Sequence, residues 1–362
     1  GMGHLIPAYL DSLKKEMQFT LPGPDRAQTI YFGGGTPSLL KPGQVGTLLE
    51  TIDDLIGLDS KAEITLEANP GTVTLQNLNI LRKLGVNRLS LGIQSFLDSD
   101  LKSLGRIHSA DQARESIKEA HEAGFDNISL DFIFGLPGQS LQAWQQNLDE
   151  ALSCGIQHLS LYSLIVEPGT PFERKVESGE IELPDDDLVA DMFELAMDYL
   201  PKFGFQQYEI SSWALGSANE SRHNKVYWKN RDYIGLGAGA HGKIGSFRVH
   251  NVSSISDYNL KMDRTSEITS NFSPAMEEST VIDEKTAMQE FMLLGLRMTR
   301  EGVSEMEFAN RYQKKMRTVF YDEIGRIVRS GLGAWQTQAD GEHLMLTHRG
   351  IMLGNQAFQE FV

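Results

Sequence analysis

The chain has 362 residues, 40% of them hydrophobic and 23% charged, with a formal net charge of −16. That acidity excludes a nucleic-acid footprint built on clustered Lys and Arg, and no apolar run approaches the roughly 20 residues that span a bilayer. One cysteine, Cys154, excludes an intrachain disulfide and a Cys-rich metal site made from this chain alone. A reduced, cytoplasmic setting is the expectation, with no signal peptide and no transmembrane segment.

In chain order, Leu5–Phe19 reads as a helix with Leu10, Leu13 and Met17 on one face, and no strand precedes it. The first two-thirds then alternates apolar β-type runs with amphipathic stretches, the signature of parallel βαβ units. Strands are expected at Thr29–Phe32, Glu63–Glu67, Arg88–Leu91, Asn127–Phe132, His158–Leu164 and Tyr208–Ser211. Between them, Leu75, Leu78, Leu81 and Leu84 make one helical stripe. Ser109 with Gln112 makes a capping box for a second helix closed by Gly124, and Ser140 caps a third that ends at Gly155. Six strands in this rhythm predict an α/β fold, an incomplete parallel barrel whose first strand is missing, with function at the strands' C-terminal ends. This unit is placed at residues 2–216. Residues 217–282, rich in Ser, Asn and Gly, read as a connecting region. Residues 283–362 read as helices near 283–299, 304–313 and 315–330, then a hairpin ending at Leu344–Thr347 and a last helix through Phe361. Helices followed by a small β wing suggest a winged-helix-like α+β domain. No basic recognition helix stands out in it, so DNA is not the expected partner.

Chemistry concentrates at the strand ends. Thr29–Phe32 runs into Gly33-Gly34-Gly35-Thr36-Pro37, where backbone N–H groups free of side chains can approach an amino-carboxylate or phosphate. Glu67, Gln94, Arg106 and Asp131 follow the next three strands, a set suited to a zwitterionic, hydroxyl-bearing ligand. Glu67 and Asp131 would accept from an amine or ribose, and Arg106 would hold a carboxylate. Gly237-Ala238-Gly239-Ala240-His241-Gly242 fits G-x-G-x-x-G, but a β run rather than a helix follows, so it reads as a backbone-dense loop near the barrel mouth. His223-Asn224-Lys225-Val226-Tyr227-Trp228 places an imidazole beside aromatics, a pattern that can ligate iron of a flat porphyrin, or serve only as hydrogen-bonding groups.

These motifs resemble the radical S-adenosylmethionine superfamily, and within it the oxygen-independent coproporphyrinogen III oxidase-like group. The resemblance runs from YFGGGTPSLL through EITLEANPGT, RLSLGIQSF, ISLDFIFGLPGQ and DYIGLGAGAH to the C-terminal domain. It implies that Gly34, Gly35 and Thr36 hold the methionine moiety of S-adenosylmethionine, with Glu67, Gln94, Arg106 and Asp131 completing the cofactor site. RHNKVYW is similar to the motif of HemW-type heme chaperones, which implies that His223 helps hold heme for delivery to an acceptor protein. The other branch implies oxidative decarboxylation of porphyrinogen propionates to vinyls through a 5′-deoxyadenosyl radical. A cluster-less binding module is a third reading. The family's Cys-x-x-x-Cys-x-x-Cys loop, which ligates a [4Fe–4S] cluster on the first barrel strand, has no counterpart here. Truncation or a cluster-less descendant would account for that, and the chain as written is expected to hold no cluster and to have no catalytic residue or metal ligand of its own.

Overall fold

The computed structural model describes residues 2–21, 26–265 and 272–362. Its largest sheet has seven strands in the order β1-β2-β3-β4-β5-β7-β6. They are β1 (Ala27–Phe32), β2 (Leu58–Ala68), β3 (Arg88–Gln94), β4 (Ile128–Phe134), β5 (His158–Ser163), β6 (Phe205–Glu209) and β7 (Ser212–Leu215). The helices of this part are α1 (Ile6–Thr20), α2 (Pro42–Ile56), α3 (Leu75–Lys83), α4 (Asp98–Ser103), α5 (Ala110–Glu122), α6 (Leu141–Ser153), α7 (Pro171–Glu177) and α8 (Asp186–Tyr199).

In the parallel strands β3, β4 and β5, successive side chains turn to opposite faces of the sheet. In β3, Leu89, Leu91 and Ile93 turn outward into the helix-covered core, while Arg88, Ser90, Gly92 and Gln94 turn inward and line a cavity. The same alternation puts Leu130 and Phe132 outward and Asp131 inward in β4, and Leu159 and Leu161 outward and Ser160 and Tyr162 inward in β5. The outer apolar face packs on Leu78 and Leu81 of α3, Ala113 and Ile117 of α5, and Trp144 and Leu148 of α6. The caps fall where the sequence puts them. Ser109 and Gln112 exchange both capping bonds, Ser140 accepts from the Ala143 N–H, and Gly124 takes φ +82° after α5. In α1, Leu10, Leu13 and Met17 are buried as expected, against α2 and α10 (Ile255–Arg264).

Two expectations are corrected. The sixth parallel strand at Tyr208–Ser211 is instead a hairpin, in which β7 returns antiparallel to β6 and inserts between it and β5. The turn at Ile210-Ser211 is too short for a parallel crossover, which needs a dozen residues or more, so the parallel run stops at five. The connecting region is also more ordered than its composition suggests. It forms α9 (Arg222–Trp228), α10 and an antiparallel sheet of β8 (His241–Ile244), β9 (Phe247–Asn251) and β10 (Met276–Val281).

The Gly237–Gly242 loop is bound to α1 rather than placed at the cavity. Glu16, fully buried, accepts from the Gly237 N–H at 2.7 Å, the Tyr258 hydroxyl at 2.6 Å and the Asn251 amide at 2.6 Å. A Cβ at Gly237 would sit 2.3 Å from the Tyr9 hydroxyl, so glycine is required there by close packing as well as by its φ of +103°.

The C-terminal part has α11 (Glu284–Gly295), α12 (Glu305–Tyr312), α13 (Met316–Val319) and α14 (Tyr321–Arg329), then the hairpin β12 (Gly333–Gln338) and β13 (Gly341–Leu346) joined by the short β11 (Val303–Ser304). Helices α15 (His348–Met352) and α16 (Gly354–Gln359) end the chain. Met292, Leu296, Phe308, Met316, Ile327 and Phe361 form their shared core. This is the helix-then-wing order read from the sequence. No described helix is long and apolar enough to cross a membrane.

Candidate functional site

A cavity of about 400 Å³ opens at the C-terminal ends of β1–β5. Gly35, Thr36, Glu67, Gln94, Arg106 and Asp131 all line it, so six of the seven residues singled out for the cofactor meet in one place. Gly34 lies beside them with its N–H turned to Glu67 Oε2 at 3.2 Å. One of the N–H groups of the glycine cradle is therefore committed to a carboxylate of the protein itself.

The three glycines have different jobs. Gly34 and Gly35 have φ of +74° and +64°, which glycine adopts without strain, and a Cβ on either would meet no atom within 4 Å. They leave the mouth clear. A Cβ on Gly33 would strike the Tyr31 ring at 2.6 Å and approach Glu67 Oε1 at 3.2 Å. Gly33 makes room for the Tyr31 hydroxyl to donate to Glu67 Oε1 at 2.7 Å. Gln94 ends β3 with φ +66°, rare outside glycine, beside a register shift between Leu91 and Gln94. Gly92 permits this turn, since a Cβ there would come within 3.0 Å of the Gln94 amide nitrogen and 3.1 Å of Asn69 Oδ1.

Burial raises the pKa of Glu67, with the Asp131 charge adding to it and the Tyr31 hydrogen bond opposing. Asp131 is likewise pushed up by burial, against bonds from Ser90 Oγ at 2.8 Å and Ser129 Oγ at 3.1 Å. Two carboxylates with raised proton affinity face the same space as Arg106, whose pKa burial lowers and which has no ion pair among the described residues. Such a set accepts a cationic amine and hydroxyls and donates to a carboxylate.

His223 sits on α9, whose start is fixed by the sheet. The Glu63 carboxylate of β2 accepts from the backbone N–H groups of Arg222 at 3.0 Å and His223 at 2.9 Å, and Ser221 caps the Asn224 N–H. The imidazole stacks on Tyr31 with ring centroids 5.0 Å apart and 21° between planes. Nδ1 pairs with Thr29 Oγ1 at 2.9 Å and Nε2 with the Tyr227 hydroxyl at 2.8 Å. Burial, reinforced by the Arg88 charge, pushes its pKa down to about 4, so the ring is neutral at pH 7. The next residue, Asn224, lines the cavity.

Tyr31, Asn69, Arg88, Ser90, Ser160 and Tyr162 line the cavity too, although no role is read for them from the sequence. The signal was available in the inward positions of the alternating runs Arg88-Leu89-Ser90-Leu91-Gly92-Ile93-Gln94 and Leu159-Ser160-Leu161-Tyr162, where reading only the strand ends passed over it.

Comparison with known proteins agrees with this geometry. Residues 9–151 match the radical SAM superfamily model, and residues 282–353 match the HemN C-terminal domain. The chain is 38% identical over 360 residues to the Bacillus subtilis heme chaperone HemW, covering 99% of this chain and 92% of that protein. It is 36% identical over 361 residues to the Lactococcus lactis heme chaperone HemW, covering 99% and 90%. The chain belongs to the HemW family. Among solved structures, coproporphyrinogen III oxidase (HemN) from Escherichia coli superimposes with a TM-score of 0.81 at 19% identity, covering 99% of this chain and 83% of that one, a likeness of fold. The chaperone branch anticipated from RHNKVYW is thus the one to which these two full-length matches belong.

HemW membership in the radical SAM superfamily makes S-adenosylmethionine and a [4Fe–4S] cluster the groups to test against these residues. The cavity suits the first, with open space over Gly34 and Gly35, an unpaired Arg106 and two carboxylates of raised pKa. The second does not fit, because a cluster takes three or four thiolates and the sequence contains one cysteine. Cys154 caps the C-terminus of α6, packs against the outer core and lies outside the cavity lining.

Proposed function

We propose that this chain is a heme-binding chaperone that holds S-adenosylmethionine at the C-terminal ends of β1–β5 and its tetrapyrrole cargo beside α9. The observation that carries the reading is His223, a neutral imidazole fixed next to the cavity and stacked on Tyr31, which is bonded to Glu67. A neutral imidazole is the form that ligates iron.

Gly35 and Thr36 border the space for the methionine moiety, Glu67 accepts from its amine, Arg106 pairs with its carboxylate, and Gln94 and Asp131 reach the remaining polar groups. Gly34 contributes by fixing the Glu67 carboxylate through its N–H. S-adenosylmethionine is the superfamily's source of an adenosyl radical, and with one cysteine in the sequence no radical step is assigned to these residues. For the cargo, His223 Nε2 is the available ligand once it exchanges the Tyr227 hydroxyl for iron, while Thr29 holds Nδ1 and sets the ring's orientation. Delivery requires an acceptor protein, to which heme passes when that bond is exchanged again.

The test is an absorbance titration with hemin. Wild type should shift the Soret band at a stoichiometry of one, and His223→Ala should weaken binding by about tenfold or more, the scale of a lost ligand or its support. An identical titration in His223→Ala sinks the assignment.

A further inference from the structure

Arg88 opens β3 at the end of the strand farthest from Gln94, and the two share the inward face with Ser90 and Gly92. At about 3.3 Å per residue, its Cα lies well below the mouth, so the guanidinium serves the cavity's floor. It is 2% exposed and lines the cavity. Nε has no hydrogen-bond partner, and no carboxylate of the described residues lies within ion-pair distance of it.

The acids of the interior are engaged elsewhere. Glu63 is hydrogen-bonded to the first N–H groups of α9, Glu67 to Tyr31 and Gly34, and Asp131 to Ser90 and Ser129, so that Asp131 feels the Arg88 charge through space without a hydrogen bond to it. A buried guanidinium carries five N–H donors in a planar fork and is costly to leave unpaired. Its geometry matches a carboxylate, which it binds through two parallel hydrogen bonds. Arg106, near the mouth, already answers the single carboxylate of an amino-acid cofactor, so Arg88 is left for a second one.

We infer that Arg88 anchors a ligand carboxylate on the cavity floor and, resting on the heme-carrier reading, that this carboxylate is a propionate of the tetrapyrrole. The two groups such a cargo needs are then in one interior: an imidazole for the metal on α9 and a guanidinium for the acid on β3. Their electrostatic contact is seen in the part the Arg88 charge plays in keeping the His223 ring neutral.

Metal-free protoporphyrin IX and its dimethyl ester test the anchor independently of iron. Fluorescence titrations of wild type should show the free acid binding about tenfold or more tighter than the diester, the range of one charge-assisted pair. In Arg88→Met the preference should disappear, and in Arg88→Lys part of it should return. Thermal melting supplies a second readout. Losing a buried guanidinium with no carboxylate in hydrogen-bond contact should leave Arg88→Met about as stable as wild type, whereas a guanidinium whose role is structural would lower the melting temperature on removal. Equal binding of acid and diester by wild type, binding of neither, or a preference that survives in Arg88→Met overturns the inference. Loss of S-adenosylmethionine affinity in Arg88→Met with the ester preference intact also overturns it, by giving the guanidinium to the cofactor's carboxylate. Because no iron is present, the outcome is separate from that of the hemin titration of His223→Ala.

Discussion

The hydroxyl of Tyr31 donates to Glu67 Oε1 at 2.7 Å, while its ring stacks on His223. One phenol therefore joins the carboxylate proposed for the cofactor amine to the imidazole proposed for heme iron. Tyr31 itself is held neutral, since burial and then the charges of Glu67 and Asp131 raise its pKa far above its ordinary value. The neutral hydroxyl keeps its proton, and an ionised Glu67 carboxylate can only accept, which fixes the direction of the bond.

Tyr31→Phe keeps the stack and removes the donor. Glu67 is already pushed up by burial, and the Tyr31 bond opposes that rise, so its loss moves Glu67 higher still. A carboxylate binds an amine in its ionised form. Affinity for S-adenosylmethionine should therefore fall at a higher pH in Tyr31→Phe than in wild type as the solution is acidified. Calorimetry across pH 4–8 reads this, and superimposable profiles would refute the link.

Gly33 stands behind the same contact. Alanine there forces the Tyr31 ring away from a Cβ that would otherwise lie 2.6 Å from it, and the ring is already backed by His223. Overpacking of this kind costs about 1–3 kcal/mol, which should lower the melting temperature measurably. Gly33→Ala should also weaken both ligands together, because it displaces the residue they share. Gly43→Ala is the control: it lies in the first turn of α2 with no atom within 4 Å of the new Cβ, and should be neutral or stabilising by about 0.4–1 kcal/mol. Equal melting temperatures for wild type and Gly33→Ala would show that the ring gives way freely.

How far the sequence reaches is clearest at these same residues. The Gly33–Pro37 loop, Gln94 and Arg106 are legible because they follow strong β-type runs, and Glu67 and Asp131 because they are polar residues late in such runs, near the strand ends where parallel sheets bind ligands. The commitment of the Gly34 N–H to Glu67 was not legible, since it depends on a carboxylate 33 positions away. Glu63 looked like the start of a strand, and only the packing of α9 on β1 turns it into a helix cap 160 positions distant. The β6–β7 hairpin reads as one strand in the sequence because the residues of its turn, Ile210 and Ser211, are neither glycine nor proline. The 217–282 segment reads as a connecting region because its strands are short and mix exposed, half-buried and buried side chains, leaving little apolar periodicity to read.

His223 offers the sharpest pH prediction. Its ring is buried against Tyr31, Thr29 and Tyr227, and burial followed by the Arg88 charge lowers its pKa from 6.5 to about 4. For a base whose folded pKa is depressed, the unfolded chain takes up the proton first. Between pH 6.5 and about 4 this term reduces stability as pH falls, and above pH 6.5 it vanishes. Over the same window the folded protein keeps the neutral imidazole that iron requires, where a solvent-exposed histidine would already be protonated. In ligand-free protein, the carbon-bound proton resonance of His223 should therefore titrate with a midpoint near pH 4, and Arg88→Met should raise that midpoint by removing a neighbouring positive charge. Hemin affinity should hold nearly constant from pH 8 to pH 5 and collapse only below. A resonance midpoint near 6.5 would mean that the ring is open to water, and with it the preformed iron ligand on α9 would fall.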